Sequence, residues 1–225
     1  MNETRRKLLD ATVETLREQG IAGVSARTIA SAAGVNQALV FYHFGSVGGL
    51  LAQACTSGAA ERAALYRERF AQATSLRELL VIGRELHEAE HSAGNVAVLA
   101  QALAGSQRDP ELAAATTAAL EVWVAELETV LDRVLADSPL AGVVDAPSLA
   151  RIIASAFIGL ELYDGADPEG ARKALDALDG LGAILEMLDG LGPLATRMFR
   201  ARTRHAASNQ DSHSGTRGGS GRSKR

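Results

Sequence analysis

The sequence predicts an all-α protein: a small N-terminal head of three helices followed by a longer helical body. Three observations carry this. Apolar residues recur one and four positions apart, as at Leu8, Leu9, Thr12, Val13 and Leu16, which is the period of one helix face. Helix starts are marked by Ser or Asp caps. Asp109-Pro110-Glu111 and Asp167-Pro168-Glu169 add a first-turn proline and an acid, both of which favour a helix N-terminus. Finally, 47% of the 225 residues are hydrophobic but only 4% aromatic, so the core is built mainly from Ala, Leu, Val and Ile.

The first helix is expected over Thr4 to Gln19, stopped by Gly20. Ser25 caps a second, Ala26 to Ala33, with Ile29, Ala30 and Ala33 as its apolar stripe. Gly34 suits a left-handed helix end, and Asn36 caps a third helix, Gln37 to Phe44. Two short helices joined by a glycine-containing turn are the helix-turn-helix signature. The second helix of such a unit enters the DNA major groove. Asn36 and Gln37 can bond base edges there, Gln suiting adenine, and Ala38 and Leu39 suit a thymine methyl. Arg27 and Thr28 stand at a helix N-terminus, a site for phosphate. Tyr42 and His43 can donate to phosphate at the far end. Val35, Val40 and Phe44 turn inward.

The stretch from Val24 to Leu50 resembles the DNA-binding domain of TetR-type transcriptional regulators. Ile29-Ala30, Ala33-Gly34-Val35, Tyr42-His43-Phe44 and Leu50 fall where that family's pattern has them. Asn36, Ala38, Phe41, Val47 and Gly48 stand in place of the family's Ser, Gly, Tyr, Lys and an acid. Phe41 and Val47 each forfeit a phosphate contact, which should weaken binding to all sequences. The resemblance implies a homodimeric regulator of double-stranded DNA, most often a repressor, that reads a palindrome and is released by a small molecule. It implies no enzyme activity and no cofactor.

Helix four, capped by Ser46, should run to about Ala73; Gly48 and Gly49 in its first turn should loosen its joint with the head. Helix five follows from Ser75 to about His91, helix six from Asn95 to Leu103, and helix seven from Asp109 to about Leu135. Helix eight, from Asp145 to Asp164, is apolar on most sides, which predicts burial on most sides. Helix nine starts at Asp167. Its DGLG repeats at 179–182 and 189–192 suit a close helix approach and a helix end. A last helix is expected from Pro193 to about Ala206. The domains are read as 1–46, 47–206 and a disordered basic tail, 207–225. The resemblance places dimerisation on helices eight and nine, with Ile152, Ala156, Leu160, Leu178, Leu181 and Leu185 as the assigned contacts. Gln101, Trp123 and Tyr163 are the assigned wall of an effector site.

Net charge is −4; residues 1–50 carry +1 and 201–225 carry +5, leaving −10 on the body. Positive charge at the two ends suits DNA, and the tail is expected to compensate in part for the lost phosphate contacts. The lone cysteine, Cys55, reads as a small core hydrophobe in a cytoplasmic protein. No run of 18 apolar residues occurs, so no membrane span is expected.

Two motifs point elsewhere. His87-Glu88-Ala89-Glu90-His91 matches the H-E-x-x-H of zinc hydrolases. The third-ligand position of the extended motif is Ala97, so no metal is assigned; a charged helix end is the plainer reading. Gly190-Leu191-Gly192 lacks the preceding strand that a dinucleotide site requires. A zinc hydrolase and an all-helical interaction module without a DNA role are the competing classes.

Overall fold

The computed structural model describes residues 3–202, Pro193 excepted. Among the described residues the α-helices run in order: α1 (Glu3–Gln19), α2 (Ala26–Ala32), α3 (Ala38–Phe44), α4 (Val47–Gln72), α5 (Leu76–Ser92), α6 (Asn95–Ser106), α7 (Pro110–Asp137), α8 (Ala146–Asp164) and α9 (Pro168–Asp189). A 3₁₀ turn, Ile21–Gly23, joins α1 to α2, and residues 194–202 are again helical. The expected end of that last helix and the basic tail lie outside the described residues.

The helix starts follow from the caps. Ser46, Ser75, Asp109, Asp145 and Asp167 each accept a first-turn backbone N–H with the side chain. Ser25 forms a reciprocal pair with Thr28. Several boundaries shift by one to three residues from the sequence expectation. Asn36 accepts the Ala38 N–H at 2.8 Å, so α3 begins one residue later than expected. α6 runs through Gly105 to Ser106; a Cβ at 105 would sit 2.5 Å from Leu112 Cδ2, so that glycine permits a close approach rather than a break. In α9, Gly182 is buried with Arg77 and Leu80 of α5 beyond it, and the helix ends at Asp189.

Three apolar clusters hold the chain together. Leu8, Ile29, Val40 and Leu50 form the centre of the head. Ile82, Val130, Leu131 and Ala150 lie in the body core. Between them sit Leu16 of α1, Leu51 of α4 and Leu112 of α7, joined by Ile21, Cys55 and Val98. Burial of the Cys55 thiol raises its pKa to about 11, which fits a packing role.

α8 departs from expectation. Ala146, Ala150, Glu161 and Asp164 are buried, but Ile152, Ala156 and Tyr163 face outward. The helix has the length and mean hydropathy, 1.2, to cross a membrane, with 17% of that window buried; an uninterrupted apolar run is therefore not the only route to that criterion. Its charged residues bind neighbouring helices: Arg151 to Glu121, Glu161 to His87 and Asp164 to His91.

Candidate nucleic-acid interface

The head displays α3 on a small rigid core. Val40 is fully buried, and Val35 and Phe44 pack partly against the same cluster. On the opposite side Asn36, Gln37, Ala38, Phe41 and Tyr42 are exposed, Tyr42 by 79%. Thus the N-terminal end of α3 and one turn beyond it form a free surface. A left-handed glycine, Gly45 (φ 75°), ends the helix, and α4 leaves at 63° to it.

The expected contacts do not all share this surface. Leu39 is half-buried on the head core, so little of it remains for a thymine methyl. His43 is half-buried, edge-on to Tyr42 with ring centroids 4.9 Å apart. Arg27 is exposed. The Thr28 hydroxyl serves the fold: it donates to Gly23 O at 2.7 Å and accepts the Ser25 N–H at 3.0 Å. α2 therefore offers its N-terminus and Arg27 rather than that hydroxyl. Lys7 pairs with Glu3 at 2.9 Å. The Arg5 guanidinium lies over the Phe44 ring, 5.0 Å from its centroid, and donates to Gln53 of α4. It braces α1 against α3 and α4.

The joint below α3 is tight. An added Cβ at Gly49 would lie 2.5 Å from Phe44 O, and one at Gly48 would lie 2.4 Å from Glu111 Oε2. The two glycines thus admit close neighbours, contrary to the expectation that they loosen the joint.

A helix-turn-helix head with an exposed reading helix is now matched by comparison. Residues 8–54 match the family described as bacterial regulatory proteins, tetR family. The head matches the N-terminal domain of the TetR family. Solved structures are similar over the body as well as the head. A Rhodococcus sp. protein described as a TetR-family transcriptional regulator superposes with a TM-score of 0.68 at 23% identity, covering 82% of this chain and 99% of that one. A transcriptional regulator from Streptomyces coelicolor A3(2) superposes at 0.61 with 25% identity, covering 78% and 96%. One from Saccharomonospora viridis, in complex with choline, superposes at 0.62 with 21% identity, covering 79% and 95%. No curated protein matches the chain by sequence.

In the body the three effector-wall residues are not brought together. Gln101 lies at the base of the head, its Oε1 accepting the Ile21 N–H at 3.0 Å. Trp123 packs on the body core beside Tyr66, with ring centroids 6.1 Å apart. Tyr163 is exposed and donates to Asp167 at 3.0 Å. Of the dimerisation residues, Ile152, Ala156 and Leu181 are exposed, Leu160 and Leu178 half-buried, and Leu185 packs on the body core. Ile184 and Met187, which the sequence reading did not assign, are exposed instead, Met187 by 76%.

The H-E-x-x-H segment joins helices. His87 Nδ1 lies 2.7 Å from Glu161 Oε1, and His91 Nδ1 lies 2.8 Å from Asp164 Oδ2. Glu90 binds Arg62 of α4 and accepts from Asn95 at 2.7 Å. Glu88, in the position of a catalytic base, is exposed. Among the described residues no three or more His, Cys, Asp or Glu converge to hold a metal ion. The Glu161 carboxyl is 1% exposed and its Oε2 has no partner. Burial raises its pKa above the usual 4.5, with His87 opposing.

Proposed function

We propose that this TetR-family chain is a cytoplasmic homodimeric repressor that reads a palindromic operator and is released by a small-molecule effector. The observation that carries the reading is the surface left open at both ends of the molecule. At one end, Asn36, Gln37, Ala38 and Tyr42 are exposed on α3. Away from the head, Ile152 and Ala156 of α8 and Leu181, Ile184 and Met187 of α9 form an uncovered apolar face. Such a face on two packed helices suits a second copy of the chain. Two copies place two reading helices on DNA, and half-sites about one DNA turn apart then make the operator a palindrome. Gln37 and Asn36 contact bases, Ala38 meets a thymine methyl, and Arg27 and Tyr42 take phosphates. The similar regulator from Saccharomonospora viridis, in complex with choline, supports a small molecule as the releasing signal. By linkage, DNA must weaken that ligand by the same factor.

The test is selection of bound fragments from a random duplex pool near physiological salt. A recovered palindrome is expected, and Gln37→Ala should then relax one position in each half-site, at about 1–3 kcal/mol per lost bidentate contact. No enrichment by folded, dimeric protein would refute the reading.

A further inference from the structure

The head meets the body through a contact that sequence patterns do not reveal. The first turn of α4, Val47 to Leu50, carries no acid of its own. Helix N-termini are electropositive and favour a nearby carboxylate. Here that carboxylate comes from the body. Ser46 Oγ, the α4 cap, donates towards Glu111 Oε1 and Oε2 at 3.2 and 3.4 Å. The same carboxylate occupies the space over Gly48 that a side chain there would fill. Glu111 is itself held, because Asp109 at the start of α7 accepts its backbone N–H at 2.9 Å.

A second contact lies on the α1 side of the head. Gln101 of α6 accepts the Ile21 N–H, and Gln101 Oε1 would sit 3.1 Å from a Cβ at Gly20. Leu16, Leu51, Leu112, Ile21 and Val98 fill the space between. Apolar packing of this kind is non-directional; by itself it tolerates sliding. Hydrogen bonds weaken steeply with angle and distance, so the two polar contacts, with Arg5 to Gln53 and Arg17 to Asn95, set the angle.

We infer that Gln101 and Glu111 are positioning residues that together fix the orientation of the reading head on the body. They touch no base or phosphate. The acid that stabilises the start of α4 is present only while α7 keeps its present place, so the stability of that turn reports the position of the body. An acid on α4 itself would be indifferent to it. The inference rests on the head being the DNA reader, but its test needs no DNA.

That test is amide hydrogen exchange of the full-length protein and of Gln101→Ala and Glu111→Ala. Losing one net hydrogen bond should speed exchange about three- to tenfold at the contact removed. A bracket also predicts a crossed effect. Glu111→Ala should speed exchange at Ile21, and Gln101→Ala should speed it over Ser46 to Leu50. Peptides of the body core, residues 124–135, should be unchanged, which controls for general unfolding. The double variant Gly48→Glu, Glu111→Ala returns an acid to the first turn without the link to α7. It should restore protection at Ser46 to Leu50 and leave Ile21 fast. If each single variant loosens only its own contact, or neither loosens anything, the bracket is overturned. If the double variant restores Ile21 as well, Glu111 merely caps a helix and the inference fails.

Discussion

Replacing Gly49 by alanine sets two physical terms against each other. Alanine in a helix favours stability by up to about 1 kcal/mol over glycine. Yet the new methyl would lie 2.5 Å from Phe44 O and 3.3 Å from Ser46 Oγ. The first of these is backbone, so it cannot swing away as a side chain can. To reach an ordinary contact near 3.4 Å, the end of α3 must retreat by about 0.9 Å from α4. Strain of this kind costs about 1–3 kcal/mol in a packed site. The net effect on unfolding is therefore between neutral and about 2 kcal/mol of destabilisation, and a chain of this size loses about 2–4 °C per kcal/mol. DNA reading suffers more. α3 would move by nearly 1 Å as a unit, whereas hydrogen-bond distances span only about 0.5 Å. Each head should lose about 1–3 kcal/mol of base discrimination. For two heads that is at least about thirtyfold in affinity for the selected site, at 1.4 kcal/mol per decade. Fluorescence anisotropy with the selected duplex and with an unrelated one gives both affinities; binding to the unrelated duplex, through phosphates, should hardly change. Gly48→Ala meets the Glu111 carboxylate instead, so it perturbs the Ser46–Glu111 contact and leaves the α3–α4 packing in place. A Gly49→Ala protein that melts higher than wild type and binds its site unchanged would refute the reasoning.

Two further outcomes follow from the body. Ile184→Glu places a charge on the uncovered apolar face and should yield a helical monomer in sedimentation analysis. Burying one large side chain from each copy contributes about 3 kcal/mol or more, so the dimer should weaken at least about a hundredfold; an unchanged dimer would move the interface elsewhere. The second concerns pH. Burial disfavours the charged form of Glu161 in the folded state, so stability falls as pH rises from 4.5 through the raised pKa. Glu161→Gln, neutral and still able to accept from His87, should therefore melt above wild type at pH 8 and match it below pH 4.5. A deficit that grows with pH would mean the pairing with His87 outweighs burial.

The helices were legible because their starts are written in short-range chemistry. Ser25, Ser46, Ser75, Asp109, Asp145 and Asp167 cap as read, and the head pattern marked Val40 as core and Gln37 as surface. What escaped depends on partners distant in the chain. The paired spacing of His87 and His91 fits a metal or a facing helix equally well, and only the placement of Glu161 and Asp164 on α8 decides between them. Gln101 is expected at a cavity wall, but its partner, the Ile21 N–H, is 80 residues away in the chain. Thr28 was read as a phosphate donor, but its hydroxyl answers to Gly23 and Ser25. On α9, Leu185 turns inward and Ile184 outward, a split between adjacent residues that only the packing of α9 on the body decides.

α7 is also a mechanical element. It runs from Glu111, beneath the head, to Val134 and Leu135 in the body core. A straight helix of 28 residues measures about 42 Å at 1.5 Å per residue. A swing of about one degree about its far end displaces its near end by about 0.7 Å over that length, more than the tolerance of a hydrogen bond. Leverage of this size means that a disturbance too small to rearrange the body core is already large enough, at the other end of the rod, to unseat Ser46 from Glu111.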